Sequence, residues 1–271
     1  MWLVSAGVLV TVLFLCTGQL VPISVASTLD HIVERDGTST AQLIAMGYLG
    51  GMIAAFTPLR LLLRYFVTVV HELGHAFMAG LLLARPKSIY IHPSSSGLAT
   101  WEIPPNWGRF RASLVAAAGY PAPSLASLAA VNAVQQGRTI AWSIFSVGVL
   151  SLAVLFLIRN LWGFLWTAGV IVGSYFAYQQ VPVEFAGALV ACVAGFLTVN
   201  SIQFSWIQFK LARHARGSGI DAEAIEQYLR IPSSVVSMGH LALTVCIGYF
   251  ATRLAIESVW RDMYNWISEI Y

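Results

Sequence analysis

Charge is scarce in this chain. Only 10% of its 271 residues are Asp, Glu, Lys or Arg, while 58% are hydrophobic and the mean hydropathy is +0.73; soluble domains carry about 25% charged residues. That balance excludes an ordinary soluble domain and implies a polytopic membrane protein. The net charge is only +3, and its Lys and Arg residues fall between apolar runs, so nucleic acid is excluded as a partner and the lipid bilayer is implied. Cysteine is scarce as well. Cys16, Cys192 and Cys246 lie in apolar runs and share no CxxC spacing, which excludes a disulfide framework and a cysteine zinc site and leaves them as small buried hydrophobes. Internal repeats and low-complexity segments are lacking too, so residues 1–271 read as one integral membrane domain.

Long apolar runs are what the chain has in abundance. Stretches of about 18 or more mostly apolar residues cover 3–25, 41–63, 65–84, 113–134, 140–158, 161–178, 185–209 and 235–256. The fold class is therefore all-α, a transmembrane bundle of six to eight spans, with eight as the central value. Two very short junctions, 60–64 and Arg159-Asn160, allow an adjoining helix to be bent or re-entrant. The run 3–25 lacks a basic leading region and reads as a retained helix, with a cleaved signal as the alternative. With eight spans, Arg85, Lys87, Arg109, Arg111, Arg159, Lys210, Arg213, Arg216 and Arg230 share one side, against Arg60, Arg64 and Arg138 on the other. The first side is expected to be cytoplasmic, with both chain termini outside.

Within 65–84 stands His71-Glu72-Leu73-Gly74-His75. Residues i and i+4 of a helix share a face, so both imidazoles can reach one Zn²⁺, and Glu72 is placed to act as base on a water. Charged side chains cost about 2.5–3.5 kcal/mol at the centre of a span even on the lenient insertion scale, which argues against chance and against a purely structural pair of histidines. Gly74 lets another helix approach closely. Directly after this helix, 88–92 and 98–103 are β-prone around Pro93-Ser94-Ser95-Ser96-Gly97 and read as a hairpin, the alternative being a plain cytoplasmic turn. A strand edge beside the metal could receive an extended peptide by β-augmentation. The segment Ala116-Ala117-Ala118-Gly119-Tyr120-Pro121-Ala122-Pro123 combines small residues with helix-breaking prolines, either to admit water or to shape packing.

The residues around HELGH, the hairpin after them and Ala118-Gly119-Tyr120-Pro121 resemble the site-2 protease superfamily of intramembrane zinc metallopeptidases, more narrowly its small bacterial branch. The resemblance covers roughly 59–163, with weaker similarity at Asp221-Ala222. It implies a zinc metalloprotease of the cell membrane, multi-pass and bacterial, whose substrate is a membrane-embedded protein or peptide. It also implies zinc held by the two motif histidines and by an Asp in a Leu-Asp-Gly motif on a later helix, with the motif glutamate as base. This chain has no Leu-Asp-Gly. Two substitutes for the third ligand are open: Asp221, first in rank, in a loop that can fold back toward His75 or else cap the helix that follows it; and Asn160, near the place of the family's aspartate but a weak zinc donor. His240 in the last span is either a ligand or, more simply, a polar helix contact. The expected site is thus His71, His75 and Asp221 for the metal and Glu72 for catalysis. A catalytically inactive scaffold that binds helices is the alternative; a transporter is disfavoured because no pair of interrupted half-helices is evident. The remaining chain is too short for an attached soluble substrate-selecting module.

Overall fold

A computed structural model describes residues 40–270 apart from Asn106, Arg216 and Ser218. The expected helix at 3–25, with Cys16, lies outside the described residues, as do His31 and Arg216. The described chain folds as α1 (Thr40–Ala54), α2 (Arg60–Leu81), β1 (Arg85–Ile91), β2 (Gly97–Glu102), α3 (Arg109–Ala118), α4 (Pro121–Gln135), α5 (Thr139–Phe156), α6 (Leu161–Gln180), α7 (Val183–His214), α8 (Asp221–Leu229) and α9 (Ser233–Ile270). It is mostly helical with one antiparallel hairpin, as the sequence predicts. Among the described residues, four helices (α5, α6, α7 and α9) are long and apolar enough to cross a membrane; α3 and α4, bent by 55° at their junction, make a fifth if they count as one span.

Six to eight spans are not confirmed, since 3–25 lies outside the described residues, and the apolar runs 41–63, 65–84 and 113–134 differ from single spans for local reasons. The run 41–63 does not stay helical: α1 stops at Ala54, and a turn through Thr57-Pro58 follows, since proline lacks an N–H and biases the residue before it away from the helix. The helix α2 carries Arg60, Arg64 and Glu72 within its apolar sequence. Gly119, Tyr120 and Pro121 break the run 113–134 into α3 and α4.

The bundle core is α1, α4, α7 and α9. Helices α1 and α7 lie side by side in parallel and approach so closely that a Cβ on Gly47 or Gly51 would overlap the backbone of Ala188 or Cys192, and one on Gly195 would overlap that of Tyr48. Small residues at such crossings let backbones meet where lipid offers no hydrophobic drive. Polar side chains inside the seam satisfy one another: the Tyr48 hydroxyl lies 2.9 Å from Thr198 Oγ1 and 3.1 Å from Thr252 Oγ1, and Ser127 donates to the Ala194 carbonyl at 2.7 Å. Gly51→Val should drive α1 off α7 and lower thermal stability in detergent by about 1–3 kcal/mol, the usual penalty of overpacking. Gly50→Ala, facing open space one residue away, should leave the melting temperature unchanged or raise it.

The pair α5–α6 is held more loosely: only 17% and 11% of their spanning windows are buried. A largely apolar cleft of about 2420 Å³ separates them from α2, α4 and α7. Besides ring contacts of Trp162 and Trp166 with Tyr65 and Phe66 of α2, they are tied to the rest through the hairpin. The Ile89 N–H donates to the Leu157 carbonyl at 2.7 Å, and the Arg159 N–H donates back to the Ile89 carbonyl at 3.1 Å, so 157–159 pairs in parallel with β1. Asn160 continues this pairing with its side chain, accepting from the Ile91 N–H at 3.1 Å and donating to the Ile91 carbonyl at 2.6 Å.

Candidate metal centre

The site is built on the buried face of α2. Tyr65, Thr68, Glu72 and His75 follow one another at helical spacing, and all four are buried. The first two hold the hairpin turn in place, Tyr65 donating to the Pro93 carbonyl at 2.5 Å and Thr68 to the Ser95 carbonyl at 2.7 Å. That contact brings β2 against the motif. A Cβ on Gly97 would collide with the Glu72 carboxylate, so Glu72 is held against the strand while only 5% exposed.

His75 Nδ1 lies 2.7 Å from the Val115 carbonyl of α3. A carbonyl only accepts, so a ring proton sits on Nδ1 and Nε2 is the nitrogen left to bind a metal once its own proton is released, the usual arrangement of a metal-binding histidine. His75 Nε2 stands 3.1 Å from His71 Nε2, with the two rings nearly perpendicular at 87°. Room for both imidazoles comes from Gly119, where a Cβ would run into His75 Nε2 and lie 2.6 Å from His71 Cε1.

Asp221 completes the group. Its Oδ2 is 3.2 Å from His71 Nε2 and 3.2 Å from His75 Nε2, so three donor atoms form a near-equilateral triangle. The carboxylate stands at the start of α8, yet it makes no side-chain cap there; the loop before α8 is instead tied by Glu223, which accepts from the Gly217 and Gly219 N–H groups at 2.9 Å each. Burial alone would push the Asp221 carboxyl up, but hydrogen bonds from the two imidazoles and their charge outweigh it and hold it below the usual carboxylate range.

The donors suit a zinc ion. Ligands bound at about 2.0–2.2 Å in a tetrahedron lie about 3.3–3.6 Å apart, a few tenths of an ångström wider than the 3.1–3.2 Å between these three. Two imidazoles and one carboxylate leave a fourth position for water or substrate, as in catalytic rather than structural zinc sites. A cleft of about 310 Å³ opens on the group and is also lined by Gly97, Ala99, Trp101 and Tyr120; that volume is at the lower end of ligand pockets.

The structure therefore brings His71, Glu72, His75 and Asp221 together and leaves two sequence candidates elsewhere. Asn160 is engaged at both ends of its amide with Ile91 and serves as a clamp on β1. His240 stacks on Tyr120 at 5.4 Å and lies 3.4 Å from Gln208 Oε1; it is not among the three metal-competent side chains that converge. Sequence reasoning missed the steric roles of Gly97 and Gly119 and the position of Tyr120. The polar stripe Tyr65-Thr68-Glu72-His75 was the available signal that α2 presents one face to the hairpin.

A family model described as Peptidase M50B-like matches residues 44–251, well over half of the chain and inclusive of all four site residues. No curated protein and no solved structure matches.

Proposed function

This chain belongs to the Peptidase M50B-like family, within the site-2 protease superfamily, and from that premise we propose that it is a zinc-dependent endopeptidase cutting peptide bonds in transmembrane or membrane-proximal segments. A membrane metallopeptidase-type function follows from the family. The observation that carries the finer reading is the triangle of His71, His75 and Asp221 beside a strand-lined cleft that holds Glu72.

In this reading His71, His75 and Asp221 hold the ion, and the Val115 carbonyl fixes the tautomer of His75. Zn²⁺ bound there supplies a Lewis acid that acidifies water and polarises a carbonyl. Glu72 takes a proton from the attacking water as the new C–O bond forms. It then delivers that proton to the amide nitrogen as the C–N bond breaks, leaving a carboxylic acid and an amine. Asp221 takes the place of the aspartate that the superfamily carries in its Leu-Asp-Gly motif.

The hairpin is the presenting surface. Because Ile89 turns its N–H and carbonyl toward 157–159, alternation along an antiparallel pair points Tyr90 and His92 at β2 and the backbone of Gly97, Ala99 and Trp101 outward. That outer rim has no backbone partner among the described residues and borders the cleft. An extended peptide laid along it would bring its backbone beside Glu72. Substrates would be membrane-embedded proteins unwound locally from helix.

Purified protein reconstituted in liposomes with a single-span substrate should cleave it. A chelator should abolish cleavage, and stoichiometric zinc should restore it. Full cleavage in metal-stripped protein would refute the reading, and absence of cleavage by the zinc-loaded protein would favour a helix-binding scaffold.

A further inference from the structure

Tyr120 stands at the 55° bend between α3 and α4 and lines the cleft together with the metal-competent group. Its ring is clamped on two sides. It meets the His71 ring edge-to-face at 4.8 Å and 86°, and it stacks on His240 at 5.4 Å and 17°, while His240 itself is buried against Gln208. Two ring contacts fix the plane of the phenol, and the break after Gly119 sets where it points. The hydroxyl makes no hydrogen bond among the described residues. Tyr120 lines the same cleft as His71, Glu72, His75 and Asp221. Asp221 Oδ2 is already shared by two imidazoles, and the Glu72 carboxylate is packed against Gly97.

A rigidly held donor without an acceptor, facing a cleft where peptide hydrolysis is proposed, suits a charge that appears only during reaction. We propose that Tyr120 is a catalytic residue that donates its phenolic O–H to the scissile carbonyl oxygen as that oxygen becomes an anion. This assignment rests on the peptidase reading above. When water attacks, the carbon–oxygen π pair moves onto the carbonyl oxygen, and Tyr120 contributes a hydrogen bond to it while keeping its own proton. A phenol keeps its proton at physiological pH and is a neutral donor. Preorganised donors of this kind act on the transition state more than on the bound substrate.

The test is Tyr120→Phe, which removes one oxygen and retains both ring contacts. Expected is a fall in kcat of about 10²–10³-fold, the range for losing one oxyanion donor, with KM, zinc content and melting temperature unchanged. A second readout needs no turnover: affinity of the zinc-loaded protein for a phosphinic peptide, whose tetrahedral anionic centre mimics the oxyanion, should fall by a comparable factor in Tyr120→Phe, while affinity for the uncleaved substrate in a Glu72→Gln background should not. A purely structural tyrosine would change the melting temperature and leave kcat per bound zinc and analogue affinity of the zinc-loaded protein alone. Equal kcat and equal analogue affinity in the two proteins overturn the role of Tyr120 while leaving the peptidase reading intact. A wild type that cleaves nothing and binds the analogue no better than Tyr120→Phe overturns both.

Discussion

Replacing Asp221 with alanine is expected to strip the protein of its zinc. Wild type should carry about one ion per chain, and Asp221→Ala close to none after gel filtration, read by elemental analysis. The two imidazoles share α2 and remain 3.1 Å apart without Asp221, but two neutral donors on one helix form only part of a zinc site. The loss should exceed the roughly 10–100-fold in affinity that removing a supporting, non-ligating group costs. Asn160→Ala makes the informative comparison, because among the described residues that amide bonds to the Ile91 backbone alone; it should loosen the attachment of 157–160 to β1 and keep the metal. If Asp221→Ala retains a full complement of zinc while Asn160→Ala loses it, the ligand assignment is reversed.

Glu72→Gln should give the opposite split: metal kept, chemistry lost. Glutamine is isosteric, so it fits the narrow space against Gly97. It cannot take up a proton, and removing a general acid–base group costs about 10²–10⁴-fold in rate. Cleavage of a single-span substrate in liposomes should therefore fall by that factor at unchanged zinc content. Activity at the wild-type level in Glu72→Gln would exclude this carboxylate as the base. Together the two substitutions separate holding the ion from using it.

How much of this was legible in the sequence varies with the range of the interaction involved. Helices α5, α6, α7 and α9 are written in uninterrupted apolar runs, and the hairpin is written in two β-prone stretches around Pro93 to Gly97, found as Arg85–Ile91 and Gly97–Glu102. His71 and His75 share a helix, so their convergence is local and the spacing alone announces it. Asp221 is different. It lies far along the chain in a short amphipathic helix that packs on α3, and nothing in its own neighbourhood says where its carboxylate points; a capping role was equally consistent with its position. Asn160 misled for the converse reason, since its place in the order of elements suggested a ligand while its amide satisfies a strand. The early end of α1 could have been read from Thr57-Pro58, where local backbone preference overrides the surrounding hydrophobicity. The bend at Gly119 was read as a kink, but the need for glycine there comes from two imidazoles on another helix.

The pairing of 157–159 with β1 has a consequence for the polarity of any peptide that docks. With one rim of the hairpin sealed, a guest chain has a single side on which to align, and β2 runs from Gly97 toward Glu102. A guest aligned antiparallel to it lays its amino-terminal part by Trp101 and its carboxyl-terminal part by Gly97, where Glu72 stands. Residues preceding the cut would then be the ones sampled by Ala99 and Trp101, and those following it would leave past the turn. A chain entering in the reverse sense would pair with β2 in parallel, which is slightly less stable per residue, so the hairpin would favour one membrane orientation of its substrate over the other.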